Sequence, residues 1–471
     1  MVENQWHALD WVATFMYLGG MILVGWYVSR KIKDSTDFLM AGRSLTYPMV
    51  VATIAATWYG SGAVFGTGQL AYTSGIVAFV FWCIPAHLGR IPLALWVAPK
   101  VRGIKETTIP SLLGRLYAKP VAILGAILIV CYSTRIMDIV SVGFMGNVVT
   151  GLPNWSVAAI IVGVVILYSL FGGLWSVVMT DVFQFLLMTS LSLLLLVPVW
   201  ASVGGFEGLS TAIPEGHFKP LGNLGIKDLA VYFLLGFQVY ADPAAYQRFG
   251  ASNNAQTAKR SYLTCLIIWL AFDSVITLLG ISARALYPDI QPNVALLTMA
   301  INNLPPFLTG LWMCSILAVI MSTMSSFYLV GATTLAVDLV KPLFKPGMND
   351  REQITYTRWF MVFIGFCGVA MAFQFKTVLD AVVFLGSLYI CSAFVPVLGG
   401  LFWRGRRTVA GGFMSMLMGM GTTIVWQFVL KNPGGIKPIL IALPLSFIFF
   451  IIGNAMGQDI RDRDEASSVT A

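Results

Sequence analysis

Hydrophobic residues in this chain form long runs that are separated by short polar segments. The runs predict 13 membrane-spanning helices, because a helix needs about 20 mainly apolar residues to cross a bilayer. We place these spans at residues 9–28, 46–73, 76–99, 120–149, 154–172, 176–203, 227–249, 257–286, 306–340, 354–375, 378–403, 408–430 and 437–457. The longer spans must tilt or bend to fit the membrane.

Two of the predicted spans contain residues that break a helix. The first interruption is at residues 58–62 (WYGSG), and the second is at residues 238–243 (QVYADP). Unwound backbone at membrane depth frees N–H and C=O groups that lipid cannot satisfy. Interrupted spans at corresponding places in two halves of a chain indicate the binding site of an inverted-repeat transporter.

If the two interruptions are equivalent, each opens a unit of five spans. The first unit covers residues 46–203 and the second covers residues 227–403, with an external loop at 204–226 between them. Because five is odd, the second unit enters the membrane from the opposite side. Residues 1–45 add an N-terminal helix and a cytoplasmic loop, and residues 404–471 add two helices and a short charged tail. The predicted fold is therefore an all-α polytopic membrane protein with a five-plus-five inverted-repeat core.

Composition and charge support a membrane protein and predict its orientation. The chain is 58% hydrophobic and only 11% charged, whereas soluble domains are about 25% charged. Most Lys and Arg residues fall on one side of the predicted topology, which makes that side cytoplasmic and places the N-terminus outside and the C-terminus inside. The opposite side carries only Lys219, Lys227, Arg284, Lys376, Lys431 and Lys437.

The remaining composition excludes several other classes of function. This loop asymmetry accounts for the net charge of +8, so we infer no nucleic-acid partner from it. The chain has no Walker-type phosphate loop, no HExxH zinc motif and no arrangement typical of a catalytic triad, and we do not expect it to be an enzyme. All six cysteines fall inside predicted spans, where they act as small apolar residues. The first span has no Lys or Arg before it, so we do not expect it to be a cleaved signal.

A run of hydroxyl residues on the ninth span suggests a cation site. Ser322, Thr323, Ser325 and Ser326 lie within five positions of one another. Such residues also pack well between membrane helices, and that interpretation stays open. A hard cation such as Na⁺ prefers neutral oxygen ligands, and freed carbonyls at residues 56–59 would complete a site for it.

Several short segments together resemble a known family. They are residues 42–45 (GRSL), 172–175 (GGLW), 180–184 (TDVFQ), 247–248 (QR) and 321–326 (MSTMSS). With them the chain resembles the sodium/solute symporter family, which includes carriers of proline, sugars, choline and sialic acid. The resemblance implies a LeuT-like fold and Na⁺-coupled uptake of a small solute, with no organic cofactor.

The resemblance also implies ligands for Na⁺. The main site would use the carbonyls of Ala56, Tyr59 and Val319 and the hydroxyls of Ser322 and Thr323. Some members of the family bind a second Na⁺, which here would use Asp181, Ser325 and Ser326. An intramembrane carboxylate is costly and therefore suggests function, although Asp181 also suits a helix-end cap or an ion pair.

Two arrangements suggest how a solute is selected. Arg135 and Asp138 lie one turn apart in the fourth span and either neutralise each other or bind a solute, with Arg135 holding a carboxylate through two hydrogen bonds. Trp58 suits a quaternary ammonium, because an aromatic face attracts a cation, and Asp242 would then face that cation. Packing for Trp58 and helix capping for Asp242 are the alternatives.

Other residues of the two interruptions complete the predicted solute site. They are Gly60 and Ser61 in the first interruption and Phe237 and Tyr240 in the second. His87, Arg90 and Asp273 are polar residues within spans and indicate either a structural cluster or a path for the ion or solute.

The sequence therefore predicts a sodium-driven symporter of a bacterial-type inner membrane that imports a small organic anion or zwitterion. A carrier of choline-like cations is the alternative within transport. A membrane sensor with a transporter-like fold is the alternative of another class. The lipid bilayer, Na⁺ and a small solute are the expected partners.

Overall fold

The computed structural model describes residues 6–104, 106, 108–222, 224–372, 374–375 and 378–460. The first half contains α1 Ala8–Val28, α2 Ser35–Met40, α3 Tyr47–Trp58, α4 Thr67–Ser74, α5 Ile84–Pro92, α6 Ala98–Ile104, α7 Ile109–Leu116, α8 Lys119–Ser133, α9 Ile136–Thr150 and α10 Asn154–Val203. The second half contains α11 Gly205–Ala212, α12 Ile226–Leu235, α13 Pro243–Ala251, α14 Ala255–Leu286, α15 Ala295–Asn303, α16 Leu308–Thr333, α17 Lys341–Leu343, α18 Asp350–Ala372, α19 Val378–Phe402, α20 Val409–Ile424 and α21 Ile439–Met456. Lys376 and residues 461–471, which include most of the predicted tail, lie outside the described residues.

Short π-helical and 3₁₀ segments join several of these helices into longer membrane spans. The π-helical segments are Gly62–Gly66, Ala78–Cys83, Leu93–Val97, Thr334–Val340 and Val425–Val429. A 3₁₀ segment at Gly236–Ala241 follows α12. Single π-turns inside membrane helices often mark functional sites.

The described helices agree with the predicted number of spans. Ten helices are long and apolar enough to cross a membrane, and the bent pair of Tyr47–Trp58 and Gly62–Ser74 adds one more. The 50 residues of α10 would extend about 75 Å as one straight helix, more than twice the roughly 30 Å hydrocarbon core, so α10 supplies two spans. The interrupted pair α12 and α13 completes the 13 that the hydropathy pattern predicts.

Gly173 divides α10 into its two spans. Its backbone has φ 52° and ψ −132°, which no helix contains. A Cβ at this position would lie 2.2 Å from the carbonyl oxygen of Phe38. Only glycine tolerates both the positive φ and the close approach of α2.

Helix α16 lies at the centre of the molecule. Within the span that begins with it, Leu308–Leu343, an apolar stretch of 18 residues is entirely buried, whereas only 28 to 33% of the corresponding stretches of α1, α18, α20 and α21 is buried. The hydroxyl run is therefore enclosed by protein. A helix that is apolar around its whole circumference is expected in such a position.

Asp10 connects α1 to the N-terminus of α16. Its Oδ1 accepts hydrogen bonds from the backbone N–H groups of Phe307 and Gly310, each at 2.8 Å, and the residue is 1% exposed. The first turn of a helix has N–H groups without a partner in the helix, and a carboxylate there satisfies them and complements the helix dipole. Asp10 thereby fixes the peripheral first helix to the central one.

Replacing Asp10 with alanine is expected to lower the free energy of unfolding by about 2 kcal/mol, because two buried N–H groups lose their acceptor. Thermal unfolding of the purified protein in detergent measures this loss. Asp34→Ala is the matched control, since Asp34 caps the short α2 through the N–H of Asp37 at an exposed position and its loss should have a smaller effect. Equal stability of Asp10→Ala and wild type would contradict the assigned role.

Candidate functional site

The first predicted interruption is a true break in the helix. α3 ends at Trp58, and the next helical segment, Gly62–Ser74, is inclined to it by 58°. Most of the carbonyl groups freed by the break have donors nearby. The indole Nε1 of Trp269 donates to Ala55 O at 3.2 Å, the N–H of Gly60 donates to Trp58 O at 2.8 Å, and the hydroxyl of Thr323 donates to Thr57 O at 2.9 Å.

Two freed carbonyls remain without such a donor. In the part of the chain that the structure describes, no N–H or O–H from outside α3 donates to Ala56 O or Tyr59 O. These are two of the three carbonyls predicted as Na⁺ ligands. The break therefore leaves oxygen atoms available at the positions where the prediction needs them.

The two predicted hydroxyl ligands lie beside this break with their hydrogens directed elsewhere. Ser322 Oγ donates to Asp181 Oδ1 at 2.6 Å, and Thr323 Oγ1 is 2.9 Å from Thr57 O and 3.1 Å from Val319 O. A hydroxyl has one hydrogen and two lone pairs. Because the hydrogens point at protein acceptors, these hydrogen bonds leave the lone pairs of both hydroxyls unused.

Asp181 is the centre of a second polar cluster next to the first. Its Oδ2 accepts from Thr53 at 2.5 Å and from Thr57 at 3.4 Å, and it lies 3.8 Å from Nη2 of Arg248. Asp181 and Arg248 are fully buried, so the carboxylate is compensated by a protein cation. Asp181 and Arg248 therefore form an ion pair, which was one of the alternatives that the sequence offered for Asp181.

The two remaining serines of the hydroxyl run lie in the same region. Ser326 Oγ is 2.5 Å from Arg248 Nη2 and 2.9 Å from the hydroxyl of Thr57. Ser325 donates to the carbonyl of Ser322 on its own helix at 2.9 Å. The structure thus brings Ser326 to the Asp181 cluster, whereas the hydrogen of Ser325 is used within α16.

Arg135 lies at a break that hydropathy did not reveal. The predicted fourth span divides into α8 and α9, and Arg135 between them adopts the left-handed conformation with φ 52° and ψ 42°. A residue with a Cβ is strained in this conformation, and such strain concentrates at functional sites. The conformation places Arg135, which is 4% exposed, beside the first broken helix.

Asp138 positions Arg135 and the first break together. Its Oδ2 accepts from Arg135 Nε at 2.6 Å, and its Oδ1 accepts from the backbone N–H of Ser61 at 2.8 Å. The predicted pair is therefore present, although Arg135 itself lies outside the helix. Since both oxygens of Asp138 are used by the protein, this carboxylate acts as a positioning group.

A central cavity of about 50 Å³ lies between the two breaks. Its wall includes five predicted residues: Trp58, Gly60, Arg135, Asp242 and Thr323. The other lining residues are Thr57, Gly62, Ala63, Trp82, Tyr132, Met137, Gln238, Phe327 and Val382. Of these, Gly62 and Gln238 had a sequence signal, because they belong to the first and second predicted interruptions. Trp82, Tyr132 and Phe327 had none, because apolar residues on buried helices all look alike in sequence.

Two predicted aromatic residues do not belong to the wall of this cavity. Phe237 and Tyr240 pack against Phe394, with ring centroids 6.5 and 5.8 Å from it. Ser61 contributes its backbone N–H to Asp138, whereas its hydroxyl is buried without a hydrogen-bond partner. The structure shows ring packing for the two aromatic residues, and their contact with a solute stays a prediction.

The second break differs from the first because side chains satisfy its freed backbone groups. The hydroxyl of Tyr246 donates to Tyr240 O at 2.7 Å, and that of Tyr389 donates to Ala241 O. Asp242 accepts from the N–H of Ala245 at 2.7 Å and caps α13. The capping role considered for Asp242 is present, and the carbonyls of Tyr240 and Ala241 both have a donor.

Gly60 permits the close packing at the first break. A Cβ on Gly60 would lie 3.0 Å from Arg135 Nη2, 3.1 Å from Asp138 Oδ1 and 3.1 Å from Thr323 Cγ2. Gly60→Ala is therefore expected to displace these groups and to reduce solute uptake by about tenfold, as misplaced binding groups commonly do. Gly66→Ala is the matched control in a transport assay, because its Cβ would meet Trp82 at an ordinary distance of 3.6 Å and Gly66 does not line the central cavity. Equal uptake by the two variants would contradict the argument.

Comparison with known proteins identifies the family. The model of the sodium:solute symporter family matches residues 38–419. The high-affinity proline transporter PutP of Bacillus subtilis is 28% identical over 94% of this chain and 98% of its own length. The sodium/proline symporter of Escherichia coli is 27% identical over 88% of this chain and 86% of its own length.

Solved structures share the fold at lower sequence identity. A Na⁺-coupled sialic acid symporter in a substrate-bound, outward-open state is 16% identical, with a TM-score of 0.82 over 96% of this chain and 99% of that one. MhsT in complex with L-phenylalanine is 14% identical, with a TM-score of 0.53 over 86% of this chain and 97% of that one. The predicted LeuT-like, five-plus-five fold is confirmed.

The two findings agree with the broken helices and the oxygen ligands described above. The match to the family model extends over most of the chain, from the segment before the first break to α20. The relatives are transporters rather than enzymes. This chain belongs to the sodium:solute symporter family: it is a multi-pass membrane protein and a Na⁺-coupled symporter of a small solute.

Proposed function

We propose that this protein imports a small organic anion or zwitterion, such as a carboxylate or an amino acid, together with Na⁺. The observation that carries the proposal is Arg135, which a strained backbone and Asp138 hold at the wall of the central cavity. A guanidinium that is fixed at Nε keeps its remaining N–H groups for a carboxylate. The proline transporters among the relatives carry a zwitterion, which supports this class of solute.

Na⁺ would bind between α3 and α16 through the carbonyls of Ala56, Tyr59 and Val319 and the hydroxyls of Ser322 and Thr323. Two observations support this site: two carbonyls at the break have no donor from outside α3 among the described residues, and the hydrogens of both hydroxyls are directed at protein acceptors. No net charge lies in this ligand set, but Asp181 is one hydrogen bond away through Ser322. A bound Na⁺ would join the broken helix to the central helix and stabilise one arrangement of the two.

A second Na⁺ at Asp181, Ser325 and Ser326 remains part of the proposal as the weaker of two sites. The Arg248 guanidinium is 3.8 Å from Asp181 and contacts Ser326. A cation that binds there would approach a carboxylate whose charge is already compensated, and it would be repelled by Arg248. We therefore expect the second site to require a higher Na⁺ concentration than the first.

The solute would bind in the central cavity and leave on the side that is rich in Lys and Arg. We propose that this side is cytoplasmic in a bacterial-type inner membrane, with the N-terminus outside and the C-terminus inside. The same proposal assigns residues 46–203 and 227–403 to the two inverted repeats. The central cavity of about 50 Å³ is smaller than a typical solute site, so binding requires the two repeats to move apart.

A thermal-shift screen of the purified protein tests the proposed function. Proline, other amino acids, carboxylates including sialic acid, sugars and quaternary amines are each added in Na⁺ and in K⁺ buffer. A ligand that binds only the folded state raises its stability, so we expect a shift in Na⁺ for one amino acid or carboxylate and none in K⁺. Uptake into proteoliposomes then checks transport of that solute. Equal uptake in Na⁺ and K⁺ would overturn the coupling, and shifts for quaternary amines alone would overturn the solute class.

A further inference from the structure

Three buried polar residues form a hydrogen-bonded chain between α5 and α14. His87 Nε2 lies 2.8 Å from Asp273 Oδ2, and Arg90 Nη1 lies 2.9 Å from His87 Nδ1. An arginine nitrogen only donates, so Nδ1 of His87 must accept, and its Nε2 carries the hydrogen that goes to Asp273. His87 is therefore a neutral link between the guanidinium and the carboxylate.

The guanidinium of Arg90 lies in the wedge between two indole rings. Its Cζ is 3.9 Å from the ring centroid of Trp58 and 4.2 Å from that of Trp269, and the two ring centroids are 6.2 Å apart. Both distances are well within the range of a cation–π contact. Arg90 is fully buried, and such contacts are strongest where water is excluded.

Aromatic faces, rather than a carboxylate, are the main partners of this cation. Among the described residues, no carboxylate lies within ion-pair distance of Arg90. Its Nε and Nη2 are buried without a hydrogen-bond partner. A buried arginine normally has a direct anionic partner. Here the positive charge lies against the two tryptophan rings instead, and the N–H groups of Nε and Nη2 have no acceptor in the described part of the chain.

The wedge opens at the solute site. Trp58 lines the central cavity, and together with Trp269 it lines a second cavity of about 10 Å³ next to it. Trp58 also stands in the first break, between the carbonyls of Ala56 and Tyr59 that the proposed function assigns to Na⁺. An aromatic cage for an organic cation is thus present at the centre of the transporter, and a side chain of the protein occupies it.

We propose that Arg90 is a specificity-determining residue: it is a built-in cation that fills the cage of Trp58 and Trp269 and so excludes organic cations from the central site. The inference rests on the proposed function and deepens it, because it explains why a site with a tryptophan in its wall accepts anions or zwitterions. An external quaternary ammonium would have to displace Arg90 from both rings and leave its charge without these aromatic faces in the membrane interior.

Arg90→Ala tests the proposal by emptying the cage. The purified variant and wild type are titrated with tetramethylammonium and methylguanidinium, and binding is followed by tryptophan fluorescence and by thermal shift. We expect both cations to bind the variant at least about tenfold more tightly than wild type, as the gain of cation–π contacts implies. Trp58→Leu in the Arg90→Ala background should remove the gained binding, which shows that the wedge is where the cations bind.

Arg90→Lys and Arg90→Met complete the test if the alanine variant is poorly folded. Lysine keeps a cation in the wedge and methionine fills the space without a charge, so neither variant should bind the added cations. Tight binding of tetramethylammonium to wild type or to Arg90→Lys would overturn the proposal, as would a folded Arg90→Ala protein without any gain. Thermal shifts of wild type in Na⁺ with anionic and zwitterionic solutes are measured in parallel. If these shifts are absent while the cation results are as expected, the proposed function is overturned, whereas the conclusion that Arg90 excludes organic cations from the cage stands.

Discussion

Replacing Thr323 with valine is expected to raise the Na⁺ concentration needed for half-maximal uptake by about tenfold to a hundredfold. The substitution keeps the shape of the side chain but removes one of the five proposed oxygen ligands, and an unmade contact to a charged group costs about 1.5–3 kcal/mol. The hydroxyl also joins α16 to Thr57 O at 2.9 Å. The variant should therefore lose part of the link between the two helices in addition to Na⁺ affinity.

Two comparisons separate these effects. Thr323→Ser restores a hydroxyl and should regain most of the Na⁺ affinity, whereas a purely steric role of the methyl group predicts no recovery. Thr333→Val is the matched control on the same helix, because the Thr333 hydroxyl is buried without a partner and lies ten residues further along α16, about 15 Å from Thr323. Uptake as a function of Na⁺ concentration, measured in proteoliposomes with the solute fixed, gives the comparison. Unchanged Na⁺ dependence in Thr323→Val would remove the main support for the proposed sodium site.

Replacing Arg135 with lysine is expected to weaken solute binding by at least about tenfold while Na⁺ binding and folding persist. Lysine keeps the positive charge beside Asp138, so the buried carboxylate stays compensated, but it lacks the planar fork that holds a carboxylate through two hydrogen bonds. The Na⁺-dependent thermal shift without solute should resemble that of wild type. The solute-induced shift and the uptake rate should both fall.

The alanine variant at the same position is less informative. Arg135→Ala would leave Asp138 buried without its cation, and breaking a buried pair from one side costs about 3–5 kcal/mol. The loss of uptake would then reflect unfolding as much as binding. Arg407→Lys is a suitable control for the conservative change, because Arg407 donates to Gly400 O at 2.7 Å and does not line the central cavity. Normal solute binding by Arg135→Lys would show that Arg135 does not bind a carboxylate of the solute through two hydrogen bonds.

The two breaks differ in a way that accounts for the position of the proposed ion site. At the second break, tyrosine hydroxyls donate hydrogen bonds to Tyr240 O and Ala241 O. At the first break, Ala56 O and Tyr59 O keep no donor from outside the helix among the described residues. An unsatisfied carbonyl at membrane depth is costly. The first break is therefore the one that gains most from a bound cation.

Features that depend on local sequence were predicted correctly. The membrane class and the number of spans follow from hydropathy, because each span must by itself present apolar residues to lipid or to other helices. The first break was visible because residues 58–62 contain two glycines. The hydroxyl run was visible because its four members are adjacent on one helix. In each case the physical cause and the residues that show it lie within a single span of the chain.

Tertiary structure alone decided the partners that lie far away in the sequence. Ser322 finds Asp181 at a separation of 141 positions, and Asp10 finds the N–H of Phe307 at a separation of 297. Arg135 lies in a left-handed break that its neighbours do not signal, and Arg90 lies between rings from α3 and α14. In the membrane interior a charge must be compensated by whatever the fold brings beside it. Hydropathy identifies which residues need partners, and only the packing of distant helices determines which partners they obtain.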